Sequence, residues 1–480
     1  MPDTPFFPAW RGRWHRRPRG EFPALLASLR RCTLDKLEVR FGPLLAGVAE
    51  LSAAKASARE RPYSVRRTWW CLLYQMLQLN TSCRDVVRQL QAMFLLEGRA
   101  APDAGTSAYC QARARLPLPL LETLLHVSAQ AADQRVAPSA FLQGRVVKGV
   151  DGVVLTLPDT PENQKAYPQP TSQKPGCGFP LLHLVVVWSA RGGGVLDLAH
   201  GDYHHGEMRL LHQLGPTLAA NDIVIYDRAA GHYVACAWLQ TRQADLISRV
   251  SIRQIDWRRG QRLGPNERLV RWQKSRQKPS YLTAAEWAAL PAEITVRVLR
   301  IRIEQPGFRT RQLVLVTTLL DAVAYPAQEI AAAYLRRWRL EMCLDDLKTT
   351  LGLDALRCKT PALVQRELLA LLIAHNLVRA VMAEAARTHT VPLERLSFTG
   401  TLDTLRTFCA ASAQASLPAL ARRLWAKMLQ IIAADQVPLR PNRHEPRVVK
   451  RRPKPYPKLN RPRHEYRETR HGSRFRIEKT

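Results

Sequence analysis

At residue 145 the hydrophobic period of the chain changes, and this change bounds the fold more tightly than any other feature. Upstream, "RRTWWCLLYQMLQLN" (66–80) and "CRDVVRQLQAMFLL" (83–96) place apolar residues at helical spacing. Asn80-Thr81-Ser82 between them reads as a stop followed by a new N-cap. A third helix follows Gly105-Thr106 in "SAYCQARARLPLPLLETLL", with Arg113 and Arg115 near its middle. Downstream, strands alternate with helices. "RVVKGVDGVVLTLP" (145–158) reads as two short strands about an Asp151-Gly152 turn. "FPLLHLVVVWSARGGG" (179–194) is a buried strand, "GEMRLLHQLGPTLAA" (206–220) a helix, and "NDIVIYDRAAG" (221–231) an apolar strand that stops at a charge. "HYVACAWLQTRQ" is a helix and "ADLISRVS" (244–251) a strand. Such alternation predicts a mixed three-layer α/β domain.

Residues 252–323 break the pattern. "ERLVRWQ", "ITVRVLRIRIE" and "RQLVLVTTLL" are β-like runs separated by basic loops, which predicts a small β insertion. From Pro326 the chain is helical to about 435, and "LLALLIAHNLVRAVMAEAA" (368–386), broken by His375, Asn376 and Arg379, reads as a buried helix rather than a membrane span. The end, 441–480, holds 14 Lys/Arg against 4 Glu, a net +10, with many prolines. That composition does not fold alone and suits a basic arm on nucleic acid. The N-terminal helices fit two readings equally, a helix-turn-helix-like DNA-docking unit with exposed arginines or a plain helical bundle.

Charge narrows the partner class. Lys plus Arg number 72 against 40 acids, giving +32 and a pI near 10.5. Such an excess attracts polyanions, and nucleic acid is the commonest large one. An anionic membrane would want a basic amphipathic helix or a lipidation signal, and neither is found. Nine singly placed cysteines without a C-x-x-C fit a reducing compartment and no zinc ribbon. The basic N-terminus lacks an apolar signal region, so a cytoplasmic location is expected.

The chemistry gathers in "YLRRWRLEMCLDDLK" (334–348). Tyr334, Arg337, Glu341 and Lys348 are spaced three, four and seven apart, on one face of a single helix, with Asp345 on the same stripe. Taken alone, the stretch also fits a surface helix laced by an Arg337–Glu341 salt bridge. Asp151 and Asp227 each end an apolar strand, where open α/β sheets carry their sites, although turns favour aspartate too. Oxygen ligands on a rigid sheet select Mg²⁺ or Mn²⁺. Two such ions, roughly 3.5–4 Å apart, serve phosphoryl transfer. His204-His205, with Asp202 and Glu207 nearby, match no zinc spacing and read as a helix-entry turn. Asp345 and Asp346 read as solvent-facing acids or as partners in a salt bridge with an N-terminal neighbour, rather than as helpers of the triad.

Three stretches, "VDGVVLTLPDTPENQ" (150–164), "IYDRAAGHYVACAWL" (225–239) and "YLRRWRLEMCLDDLK", resemble the catalytic motifs of the DDE transposases of insertion sequences, most closely insertion sequence family four. That group's signature is Tyr, two residues, Arg, three, Glu, six, Lys, which Tyr334, Arg337, Glu341 and Lys348 fit without a gap. "GTSAYCQARARLP" (105–117) and "RPKPYPKLNRPRHEYR" (452–467) resemble its terminal stretches.

The resemblance implies an RNase H-like core interrupted by a β-rich insertion. Its parts would be a helical DNA-binding region (1–140), the core's first part (141–251), the insertion (252–323), the glutamate helix (324–370), a helical region (371–440) and a basic tail (441–480). Asp151, Asp227 and Glu341 would be the catalytic triad, holding two Mg²⁺ or Mn²⁺ ions. Tyr334, Arg337 and Lys348 would grip DNA phosphates, and Arg228 matches the family's Asp-Arg pair. Trp272 would stack a flipped base, with Trp257 and Trp287 as rivals. The implied activity is cut-and-paste transposition on double-stranded DNA by a synaptic homodimer. An RNase H-like nuclease without joining activity, or a silent DNA-binding protein, are the alternatives.

Overall fold

The computed structural model describes residues 62–78, 81–303, 312–412 and 418–438, with short stretches at 37–38, 40–45, 48, 459–462 and 465–466. The expectations for the first 36 residues and for most of the 441–480 tail lie outside the described residues. Among the described residues, a 3₁₀ turn (Gly42–Leu45) is followed by the helices α1 (Val65–Leu77), α2 (Cys83–Leu96), α3 (Ser107–Ala114) and α4 (Leu118–Asp133). Ser82 caps α2 as expected, in a reciprocal capping box with Asp85. Then follow β1 (Val147–Thr156), α5 (Pro161–Ala166), β2 (Leu181–Ser189), β3 (Val195–Asp202), α6 (Glu207–Gln213), β4 (Ile223–Tyr226), α7 (Tyr233–Thr241) and β5 (Asp245–Val250). The chain continues through β6 (Gln261–Gly264), β7 (Glu267–Gln273), α8 (Ala284–Ala289), β8 (Glu293–Arg302) and β9 (Gln312–Thr317). Then come α9 (Ala327–Leu335), α10 (Arg337–Asp345), α11 (Pro361–His389), α12 (Phe398–Ser412) and α13 (Pro418–Ala434).

The nine strands among the described residues form one sheet in the order β3-β2-β1-β4-β5-β9-β8-β7-β6. β1, β2 and β3 are antiparallel neighbours, whereas β4 and β5 run parallel to β1. From β5 outward every pairing is antiparallel. The strands of the 252–323 stretch therefore extend the main sheet. β9 takes up the backbone groups that β5 would otherwise leave as an open edge.

β1 differs from expectation in a way that matters for the site. It is one strand of ten residues, not a hairpin about Asp151-Gly152. Both residues pair with β2, Asp151 opposite Val186 and Gly152 opposite Val185. Val150 is buried on one face and Val153 and Leu155 on the other, so the apolar alternation runs through the supposed turn. β3, "VLDLAHGD", is a strand that periodicity does not reveal, because its half-buried, acid-containing pattern is weak.

Helices cover both faces. Leu72, Leu121 and Leu372 of α1, α4 and α11 pack on Leu182, Leu184, Val186 and Trp188 of β2 on one face. Leu210 of α6 and Trp238 of α7 pack on Val185, Val224 and Tyr226 on the other. α11 is apolar and long enough to cross a bilayer, but 89% of its most apolar window is buried inside the protein. Asn376 explains one break in its apolarity. Its amide donates to Val195 O at 2.8 Å and Ser128 Oγ at 3.1 Å, and its oxygen accepts from Val195 N at 2.7 Å. It thus ties α11 to α4 and β3. Asn376→Leu is expected to lower the unfolding free energy by about 2–4 kcal/mol, because it strands a buried N–H and C=O together. A urea titration checks this.

The arginines of α3 do not both face solvent. Arg113 is only 5% exposed, and its guanidinium donates to Cys358 Sγ at 3.1 Å and Cys83 Sγ at 3.4 Å. It bridges the N-terminal helices to the segment before α11, which removes it from any DNA-docking row. Arg115 is exposed.

Candidate active site

The two aspartates meet through strand register. Gly149 of β1 stands opposite Ile225 of parallel β4. Continued two residues past that last recorded pair, the register would bring Asp151 level with Asp227, on strands about 4.8 Å apart. Residues at matching positions of parallel strands point to the same face, so both carboxylates do. β4 stops at Tyr226, and Asp227 caps a following 3₁₀ turn by accepting from Ala229 N at 2.7 Å.

α9 and α10 lie over that face. Tyr334 packs in one cluster with Ile225 and Ile247, and Leu340 stands over Gly149. Glu341, next to Leu340, is thereby brought to the aspartates. Its Oε1 lies 2.6 Å from Arg337 Nη2, one helical turn back. Burial is the main force that pushes the Asp151 carboxyl up to about 6. A bond from Gly152 N–H and the charge of Arg337 pull it down, whereas the like charges of Glu341 and Asp227 push it up. The three acids therefore share one electrostatic neighbourhood, and the Arg337 guanidinium acts within it.

A divalent ion fits the chemistry of this donor set: three carboxylates, one partly desolvated, mutually repelling and in need of positive charge. Among the described residues no three acids are yet drawn close enough to hold an ion together.

The remaining expected residues fall into two groups. Tyr334 and Arg337 belong to the site: Tyr334 is 6% exposed, with the Arg337 guanidinium 5.6 Å from its ring. Burial, first of all, raises its phenol above the ordinary range. Arg228 is exposed on the turn after Asp227. Lys348 is half-buried and forms no ion pair among the described residues. The stretch 334–348 is not one helix. α9 ends at Leu335, α10 starts at Arg337, and Lys348 lies in a π-helical turn, Asp346–Thr350. Arg336 N–H is shared between the carbonyls of Ala332 and Ala333, which tightens the chain at the break. Asp345, expected on the Glu341 stripe, is exposed.

Trp272 is not brought to the acids. It sits on β7, which β5, β9 and β8 separate from β4, opposite Ile294, whose side chain belongs to the other face. Trp257 and Trp287 pack on that same far-face core, under Arg300 and Lys274 respectively. Trp338, next to Arg337 in α10, is 65% exposed. Its signal was in plain view, an aromatic between Arg337 and Arg339 on a helix whose core face is set by Leu340 and Leu344. His205 and Asp202, set aside as metal ligands, bond to each other at 2.7 Å.

Asp346 is half-buried rather than solvent-facing. Burial pushes its carboxyl up to about 7; Arg379 opposes this and Asp345 adds to it. A carboxyl raised in the folded state binds protons that the unfolded chain has released. Stability is therefore lost as pH rises from about 4 to about 7. Asp346→Asn is expected to stabilise the protein by about 1–2 kcal/mol at pH 8 and not at pH 4. Thermal melts at the two pH values check this.

The family described as "Transposase DDE domain" matches residues 143–377, a span that holds Asp151, Asp227 and Glu341. "Transposase InsG for insertion sequence element IS4" of Escherichia coli (strain K12) is 29% identical over 416 residues, covering 83% of this chain and 88% of that protein. A cryo-EM structure of the piggyBac transposase synaptic complex with hairpin DNA aligns over 84% of this chain and 85% of its own, at 9% identity and a TM-score of 0.39. Both matches support a DDE transposase of the type found in insertion sequence IS4.

Proposed function

We propose that the protein binds the inverted-repeat ends of its own insertion sequence, cleaves the strands there and joins the freed 3′-OH to target DNA. The observation that supports this reading is the pairing of Gly149 with Ile225, each two residues short of an aspartate, beneath Leu340 of the helix that bears Glu341. The order β3-β2-β1-β4-β5, with only β2 antiparallel to its neighbours, supports an RNase H-like core. On that reading β6–β9 are the insertion (252–323), 141–251 and 324–370 form the core, 1–140 and 371–440 are helical flanks, and 441–480 is a basic tail.

Asp151, Asp227 and Glu341 would hold two Mg²⁺ or Mn²⁺ ions, which when bound supply an activated nucleophile and charge stabilisation at the leaving oxygen. Arg337 releases Glu341 and takes a phosphate, which its planar fork suits. The buried Tyr334 ring holds the guanidinium in place. Arg228 and Lys348 add phosphate contacts from the rim. The charge of +32 supplies salt-dependent affinity for duplex DNA. Trp338 is placed to stack an unpaired base, a role its exposure supports better than the packing of Trp272 does. Two ends and two chains would form the synaptic complex, in the cytoplasm at the nucleoid.

The test is an incubation with labelled element ends and Mg²⁺. Cleaved and joined products are expected. Cleavage without joining would support a nuclease instead, and binding without cleavage a silent DNA-binding protein.

A further inference from the structure

We propose that Glu207, which lies outside the acidic triad, is a positioning residue that fixes the two aspartate-bearing strands against each other from the far face of the sheet. The inference rests on the reading of Asp151, Asp227 and Glu341 as metal-holding acids. Successive residues of a strand point to opposite faces. A group that holds the residue next to each aspartate therefore sets both carboxylates through the backbone.

Glu207 touches both neighbours. Its Oε2 accepts from the Tyr226 hydroxyl at 2.9 Å, and Tyr226, fully buried, directly precedes Asp227. Its Oε1 lies 2.6 Å from the place where a Cβ on Gly152 would stand, and Gly152 directly follows Asp151. The backbone of Gly152 is not in the left-handed region, so what the position excludes is bulk. Glycine there makes room for the carboxylate.

The carboxylate is itself anchored. His183 of β2 brings Nε2 within 3.8 Å of Oε1, and its Nδ1 lies 2.7 Å from His205 O in the loop before α6. His205 is held in turn by Asp202 at the end of β3. One side chain thus joins β2, β1 and β4 at the level of the aspartates. The His183 imidazole, more than any other neighbour, keeps the Glu207 carboxyl below the ordinary glutamate range. This chain of contacts is more than a helix-entry turn requires.

Mn²⁺ titration of the full-length protein, followed by the paramagnetic resonance of the free ion, tests the proposal. Glu207→Ala and Gly152→Ala are each expected to weaken Mn²⁺ binding on the order of tenfold. Gly152→Ala need displace only the end of a flexible side chain, so its thermal midpoint should stay near that of the parent protein. The double variant should bind no more weakly than the weaker single variant, because both act through one contact. Glu207→Gln keeps the length and an acceptor for Tyr226, and should restore most of the affinity.

Asp151→Ala is run beside them and should lose Mn²⁺ binding. Parent-like affinity in Gly152→Ala or Glu207→Ala, with Asp151→Ala deficient, overturns the role of Glu207 and leaves the triad standing. Additive losses in the double variant overturn it as well. Unchanged binding in Asp151→Ala, or no Mn²⁺ binding by the parent protein, overturns the triad reading and this inference with it.

Discussion

Alanine at Asp151, Asp227 or Glu341 is expected to lower cleavage and joining of the element's ends by at least about a thousandfold, some 4 kcal/mol of transition-state stabilisation. Duplex binding should be retained or slightly tightened, since each change removes a negative charge that faces the phosphates. The size follows from the chemistry of the site. Phosphoryl transfer leaves little for a protein to do beyond positioning and charge neutralisation, and on the proposed reading these acids would hold the cations that perform the second task. Glu341→Ala carries an additional signature. It frees Arg337 from its ion pair at 2.6 Å, so DNA affinity should rise most in that variant. Rates measured on labelled ends, with binding measured in parallel by anisotropy, check both statements. A variant at any of the three positions that cleaves at near the parent rate would remove it from the catalytic set.

Gly149→Val is expected to be nearly as damaging to activity, although residue 149 never touches substrate. A Cβ at this position would stand 1.7 Å from Leu340 Cδ1 and 3.1 Å from its Cγ. Leu340 is 4% exposed and part of the main core, so it has little free space to move into. Overpacking at such a contact costs about 1–3 kcal/mol of stability. The functional loss should be larger, because Leu340 adjoins Glu341 and a displacement of about 1 Å in a reacting group can cost about a hundredfold in rate. The combined variant Gly149→Ala with Leu340→Ala relieves the clash. It should regain part of the activity lost in Gly149→Ala alone. Urea midpoints together with cleavage rates separate the two effects. If Gly149→Val and Gly149→Ala both leave rate and stability at parent values, α10 does not rest on β1 as described.

Much of this arrangement could be read along the chain. An apolar run that ends in aspartate marked the end of β4 at Asp227. A spacing of four residues put Arg337 and Glu341 within reach of one another, and the structure has them bonded. His375, Asn376 and Arg379 marked α11 as a helix of the interior, and the bonds of Asn376 to Val195 and Ser128 show why. Local misreadings had local causes. Asp-Gly is a strong turn signal, but at 151–152 it is overruled by pairing with β2 along nearly the whole of β1. Arg113 sits on a short helix and looks exposed from its neighbours, yet a cysteine 245 residues away takes its guanidinium.

What the sequence determined alone was the kind of each element and the chemistry of its residues, because periodicity and capping act within a few positions of the chain. Tertiary structure decided which strands are neighbours and in what register. On this depend the meeting of Asp151 with Asp227, the side of the sheet on which Trp272 lies, and the contact of Glu207 with the residue beside each aspartate. Register is a property of two segments distant in the chain, chosen by burial and hydrogen bonding across the sheet together, and no window along one segment contains it.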